Sequence, residues 1–189
     1  WRETVKFGVI IQPDNLALLP ERARLAEEVG FDYLGVAESQ SLARELYVSL
    51  SVVAQATKKA QIGPTVSNPL TRHPAVTASG IASINELSGG RAFLGIGTGD
   101  SAVLNLDLRP ARLAQLKEYM DAVRAVLSGQ SHRYQGRNIH VRWSRTVVPF
   151  LVSAEGPRTL AMAGAEADAV LVHTGLTPEV LRDSVARIR

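Results

Sequence analysis

The chain has 189 residues, 46% of them hydrophobic, with a formal net charge of +3 and no cysteine. That is enough chain for one domain with a sizeable core, and it excludes disulfides, thiolate metal sites and cysteine nucleophiles. No apolar run approaches the roughly 18 residues of a membrane span, and no Lys/Arg run forms a nucleic-acid or membrane-binding patch. The densest basic stretch, with Arg137, Arg142 and Arg145, alternates with apolar residues and reads as a solvated hairpin face. Trp1-Arg2-Glu3-Thr4 has no signal-peptide character, and together with the absent cysteines this fits a cytoplasmic protein.

Short apolar runs alternate with helical stretches, the pattern of βαβ units around a parallel sheet. Phe7 to Ile11 reads as the first strand. A helix over Pro20 to Val29 follows, with Ala23, Ala26 and Val29 spaced on one face and Gly30 just beyond its end. Tyr33 to Ala37 is the second strand, Leu46 to Ala56 the second helix and Gln61 to Ser67 the third strand. His73-Pro74 opens a third helix, proline being tolerated in the first turn, with Ile81, Ile84 and Leu87 facing inward. Ser88-Gly89-Gly90 ends it, and Ala92 to Gly97 is the fourth strand.

A longer connection leads to an amphipathic helix over Ala111 to Leu127, carrying Leu113, Leu116, Met120, Val123 and Leu127 at three- and four-residue spacing. Arg133 to Trp143 reads as a hairpin turning at Gln135-Gly136-Arg137-Asn138. Pro149 to Ser153 is the fifth strand, Pro157 to Gly164 a helix, Ala169 to Val172 the sixth strand, and Pro178 to Arg189 a final helix. About six βα units leave two architectures open, a doubly wound open sheet or an incomplete eight-fold barrel. No GxGxxG follows the first strand, which argues against a dinucleotide-binding Rossmann site.

Parallel α/β folds place their sites at the C-terminal ends of the strands. The segments to read are therefore Glu38-Ser39-Gln40, Asn68 to Pro74, Gly97 to Ser101, Ala154 to Thr159 and His173-Thr174-Gly175. Gly97-x-Gly99 lets a ligand approach the backbone closely, or is simply a tight turn. Glu155-Gly156-Pro157-Arg158-Thr159 starts a helix, where free N–H groups and the dipole favour an anion such as a phosphate. Glu38 and Asp100 are carboxylates at strand ends, able to act as acid, base or polar contact; equally, they are surface carboxylates, and Asp100 suits a helix cap. His73 reads as a cap or packing residue, and His173 as a ligand contact or nothing more. His132 and His140 lie in the hairpin region, and the four dispersed histidines give no zinc spacing. Ser101 and Ser153 lack a nucleophile-elbow context. No lysine sits at a strand end, which argues against a Schiff-base lyase or isomerase.

Two runs carry more than generic signals: Asn68-Pro69-Leu70-Thr71-Arg72-His73-Pro74, and Leu87-Ser88-Gly89-Gly90-Arg91-Ala92-Phe93-Leu94-Gly95-Ile96-Gly97-Thr98-Gly99-Asp100. With Ser153-Ala154-Glu155-Gly156-Pro157-Arg158-Thr159-Leu160, Ala163-Gly164, Ala167 to Val170, and Gly30-Phe31-Asp32, the chain resembles the luciferase-like monooxygenase superfamily, closest to its methylenetetrahydromethanopterin-reductase-like branch. The resemblance implies an α/β fold, a (β/α)₈ TIM barrel of which strands seven and eight are missing. It implies a single domain over residues 1–189, with a hairpin insertion at 130–148 between strands four and five.

It further implies F420 or FMN as cofactor, hydride transfer to or from a small organic substrate, and a homodimer. A bulge in the third strand with a non-proline cis bond, here Thr65–Val66, would support the cofactor ring. Gly97, Thr98 and Gly99 would line its site, to which Asn68 and His173 are added from their places at strand ends, and Ser153, Ala154, Glu155, Gly156 and Thr159 would hold its phosphate. Asp100 falls where relatives carry an acid near the substrate, and Glu38 would touch the ring edge or the substrate. Ser39 stands where several F420-dependent dehydrogenases carry histidine, which favours a reductase. The alternative is a non-catalytic, shortened flavin-binding protein or barrel fragment.

Overall fold

The computed structural model describes residues 5–189; the chain start read above as lacking a signal sequence, residues 1–4, lies outside them. Its elements follow the expected alternation. Strand β1 (Gly8–Ile11), β2 (Tyr33–Val36) and β3 (Gln61–Pro64) pair in parallel, as do β4 (Leu94–Ile96), β7 (Phe150–Ala154) and β8 (Ala169–Val172). Two isolated parallel bridges, Ile62 to Ala92 and Ser67 to Ile96, join β3 to β4. The two sheets therefore form one array in the order β1-β2-β3-β4-β7-β8, parallel throughout, as βαβ crossovers require.

Those bridges also locate an irregularity. Ile62 to Ser67 takes five steps along the chain while Ala92 to Ile96 takes four, so one residue is extra on the β3 side. The mismatch is a β-bulge, and it contains the Thr65–Val66 bond, which is cis. Thr65 N–H donates to the Val36 carbonyl (2.8 Å), Ser67 N–H to Gly95 (2.9 Å) and Gly97 N–H to Ser67 (2.9 Å). Gly63 and Gly95 permit this close approach: a Cβ on Gly63 would run into the Phe93 carbonyl, and one on Gly95 into the Pro64 carbonyl.

Helices α1 (Leu19–Glu28), α2 (Leu46–Ala56), α3 (Pro74–Leu87), α5 (Leu113–Leu127), α6 (Pro157–Glu166) and α7 (Pro178–Ile188) connect the strands, with the short α4 (Ser101–Leu104) in the connection after β4. The longer helices turn apolar stripes inward: Leu19, Ala23 and Ala26 on α1, Ile81 and Ile84 on α3, Leu116, Met120, Val123 and Leu127 on α5. Two residues assigned to these stripes from spacing are largely exposed, Val29 at 65% and Leu87 at 48%. Both stand at a helix end, where the path turns away before the side chain meets the core. Gly30 (φ +100°), Gly89 (φ +69°) and Gly90 (φ +89°) supply the left-handed turns there.

The hairpin is shorter than expected. Strands β5 (His132–Tyr134) and β6 (Arg137–Ile139) pair antiparallel around Gln135 and Gly136, both at positive φ (+46° and +77°), a two-residue turn. Residues 140–149 then run without a strand, but Val141 and Val148 are buried, and Tyr134 packs edge-on against Tyr119 of α5. The hairpin region therefore shares the core of the rest. Among the described residues no helix is long and apolar enough to cross a membrane.

Candidate active site

The strand ends open on one cleft of about 720 Å³. Ile10 and Gln12 line it from β1, Ala37, Glu38 and Ser39 from β2, and the bulge contributes Thr65 to Asn68. Gly97 to Ala102 come from the β4 end, Ser153, Glu155, Gly156 and Thr159 from the β7 end, and Leu171 and His173 from β8. Of the fourteen residues singled out from the sequence, thirteen line this cleft. Ala154 does not: it is 2% exposed and belongs to the core, because alternation along β7 turns Ser153 to the cleft and Ala154 away from it.

Gly97 forms part of the floor, where a Cβ would stand 3.3 Å from Val66 Cγ2 and 3.5 Å from Ser153 Cβ. Gly99 (φ +104°) makes the left-handed turn that leads into α4. Asp100 sits at the N-terminal boundary of α4, yet its side chain makes no cap bond; only its carbonyl serves the helix, accepting from Val103 and Leu104 N–H. Asp100 is exposed and lines the cleft, its carboxylate free of the capping role its position suggested.

Asn68 is buried and mostly occupied. Its Oδ1 accepts from Leu70 N–H (2.9 Å) and Thr71 N–H (3.0 Å), and its Nδ2 donates to Thr71 Oγ1 (3.1 Å). This side chain shapes the loop at the cleft edge. His73 caps α3, its Nδ1 accepting from Ala75 N–H (3.3 Å). His173 Nδ1 lies 3.4 Å from Glu155 Oε1, both side chains largely exposed.

Glu38 shows an arrangement that spacing did not reveal. One carboxylate oxygen, Oε1, is paired with Arg72, while Arg72 Nη2 reaches Glu45 Oε1 at 2.6 Å and the guanidinium lies 5.3 Å from the Tyr47 ring centroid. The Glu38 side chain is only 5% exposed. Burial works against the Arg72 charge, but the two carboxylates more than restore it, and its pKa is raised. Burial likewise pushes the Tyr47 phenol far above its ordinary range.

The opposite wall has different chemistry. Helix α6 begins at Pro157 with Gly156 as N-cap and no side-chain cap. The first N–H groups of a helix have no partner inside it, and here Gly156 and Thr159 both line the cleft. A Cβ on Gly156 would meet nothing within 4 Å, so space for a bulky anion is open beside the helix start.

Two buried polar atoms in the described residues lack a partner, Glu38 Oε2 and Ser67 Oγ, and both residues line this cleft. Buried polar groups are normally satisfied, so a ligand with polar atoms on one edge fits here. A planar ring over the bulge and Gly97, with a phosphate at the α6 start, fits the residues present. No group of three or more His, Asp or Glu residues suited to a metal ion occurs among the described residues.

Sequence reasoning missed Ile10, Gln12, Ala37, Ser67, Ala102 and Leu171 as cleft-lining residues, and Ser39 and Ser101 as partners. The Ser39 and Ser101 hydroxyls lie 2.5 Å apart, and Asn105 Nδ2 donates to the Gln40 carbonyl (2.9 Å), so the β2 and β4 ends are tied together. No sequence signal announces a hydroxyl pair 62 residues apart. The Arg72 pair had one clue, an arginine within the Asn68 to Pro74 run.

Comparison with known proteins bears on the family and the fold. Residues 5–189 match the family described as luciferase-like monooxygenase. The 5,10-methylenetetrahydromethanopterin reductase of Methanolobus tindarius is 35% identical over 175 residues, covering 88% of this chain and 53% of that protein. The enzyme of the same name from Archaeoglobus fulgidus is 33% identical over 177 residues, covering 89% and 53%. The structure of the coenzyme F420-dependent tetrahydromethanopterin reductase of Methanopyrus kandleri superposes with a TM-score of 0.83 at 28% identity, covering 97% of this chain and 60% of that one. The chain thus spans between half and two thirds of the length of these relatives.

Proposed function

The chain belongs to the luciferase-like monooxygenase family, and from that premise we propose that it forms the cofactor-binding part of an F420- or FMN-dependent oxidoreductase acting on a small organic substrate. The observation that carries this reading is the single cleft holding the β3 bulge, the Gly97–Gly99 turn, the α6 start and two buried, unpartnered polar atoms. F420 is the favoured choice, because the similar Methanopyrus kandleri reductase is F420-dependent. The six parallel strands are then the larger part of an eight-stranded barrel, whose remaining strands would lie between β8 and β1.

The bound cofactor would supply the hydride donor or acceptor. The protein does the rest. Thr65, Val66 and Gly97 provide a surface for a ring, and Ser67 Oγ and Glu38 Oε2 offer hydrogen bonds to its polar edge. Ser153, Gly156, Thr159 and the first N–H groups of α6 hold the phosphate. Asp100, exposed on the rim and without a cap bond, carries a proton to or from the substrate. Ser39 beside Glu38 provides no base, which supports reduction over dehydrogenation.

A homodimer is part of this reading. Val48, Val76 and Trp143 are each about half exposed, and Val76 and Trp143 line a groove with Tyr47, Ala75 and Val141. That groove shares no residue with the cleft.

The test is parallel titration of the purified chain with FMN and F420, followed by fluorescence. Micromolar binding of either is expected; a folded, monodisperse chain that binds neither overturns the reading. In the intact enzyme, Asp100→Ala should lower kcat by about 10²–10⁴-fold, the usual contribution of a positioned acid, while the Kd for cofactor stays unchanged.

A further inference from the structure

Glu38 and Arg72 lie 34 positions apart and meet beside the cleft that Glu38 lines. Arg72 is 15% exposed and bridges two carboxylates of different standing. Glu45, half exposed, is the N-cap of α2: its Oε2 accepts from Val48 N–H at 2.9 Å, and its Oε1 takes Arg72 Nη2 at 2.6 Å. Glu38, nearly buried, gives Oε1 to Arg72 Nη1 and keeps Oε2 without any partner. The Tyr47 ring backs the guanidinium. Arg72 is therefore held by Glu45 and Tyr47, both outside the cleft, and the geometry it imposes is passed to Glu38.

A planar guanidinium directs its N–H groups along fixed lines. Holding Oε1 on one such line restrains the Glu38 carboxylate, and the other oxygen is left buried without a partner in a residue that lines the cleft. A buried carboxylate oxygen accepts hydrogen bonds and donates none while ionised. Its complement is a ligand N–H or O–H.

We propose that Arg72 is a positioning residue for ligand binding: it pins Glu38 through Oε1 so that Oε2 stands as a fixed acceptor for an N–H or O–H on the cofactor or substrate. The proposal rests on the cofactor reading above and deepens it, by naming the chemistry the ligand must present at this edge. Flavins and deazaflavins carry a ring N–H that meets the requirement. Arg72 itself touches no ligand; it acts through Glu38, with Glu45 and Tyr47 holding it in place.

A double-mutant cycle tests this with FMN and F420 as probes, reading Kd by titration and Tm alongside. Glu38→Gln and Arg72→Met should each weaken binding of the probe that the wild type takes up by about ten- to a hundredfold, the range for a hydrogen bond to a charged group. Because both changes disrupt one contact, the double variant should bind no worse than the weaker single variant. Arg72→Lys keeps the charge but loses the planar fork, so it should recover only part of the affinity; it also serves if Arg72→Met does not fold. A purely structural Arg72 would lower Tm and weaken binding by the same factor whether Glu38 is intact or already replaced by glutamine, and that additive result overturns the proposal alone. Full affinity in Arg72→Lys overturns it too. A wild-type chain that binds neither probe overturns it together with the cofactor reading.

Discussion

At the residue scale, the best-satisfied carboxylate of the described residues lies away from the cleft. Glu27, at the end of α1, accepts from the backbone N–H groups of Lys58 (3.0 Å), Lys59 (2.7 Å) and Ala60 (2.8 Å). Burial raises its pKa, but those three donors, with Arg91 nearby, outweigh burial and hold it below its ordinary value of 4.5. The sign follows from linkage: a lowered folded pKa adds stability above the unfolded value, and this is lost as pH falls from about 4.5 through the lowered folded pKa. Glu27→Gln should cost about 1–3 kcal/mol at neutral pH and flatten the acid limb of a stability-versus-pH curve from chemical denaturation. An unchanged acid limb would show that Glu27 contributes nothing there. Little of this was legible beforehand. Glu38, Asp100 and Thr159 stood out because strand-end loops are few and their polar residues countable. Glu27 and Arg72 act through partners 27 to 34 positions away, and only folding brings those together.

At the element scale, the strands and helices were readable to within a few residues because burial period and Gly/Pro punctuation agree with each other. The disagreements have a common cause. Val29 and Leu87 follow the helical period but stand where the helix ends, and the hairpin strands stop after Ile139 although apolar alternation continues. Periodicity describes a face and carries no information about where its neighbour stops. The β3 bulge was anticipated only through resemblance, since Gly63 and Gly95 look like ordinary apolar strand residues. Their contacts give a direct test. Gly95→Ala would drive a Cβ into the Pro64 carbonyl, and backbone cannot swing aside as a side chain can. A loss of about 1–3 kcal/mol is expected for such overpacking, with Tm falling by roughly 2–4 °C per kcal/mol, and cofactor affinity should fall with it because Val66 and Ser67 move. Wild-type Tm and Kd in this variant would mean that the bulge is not held by the β3–β4 approach.

At the scale of the whole molecule, one core serves all the layers, and the cleft and the Tyr47–Trp143 groove occupy separate places on it. With the Tyr47–Trp143 groove as the seam of the proposed homodimer, Trp143→Asp should convert dimer to monomer in sedimentation velocity while leaving cofactor Kd unchanged. A dimer that persists would move the interface elsewhere. The α/β class and the parallel pairing could be argued from the sequence, because strands alternating with helices make βαβ units. The order of the strands could not, since pattern alone left the open sheet and the barrel both available.

The tie between Ser39 and Ser101, with Asn105 on the Gln40 carbonyl, has a calorimetric consequence. Two rims from different strands are fastened by the chain's own groups, so their configurational entropy is surrendered during folding and not at the moment of association. A ligand entering such a prearranged wall loses little further disorder to it. Its heat-capacity change should then reflect the apolar surface it covers, without the larger signature of a segment folding around it.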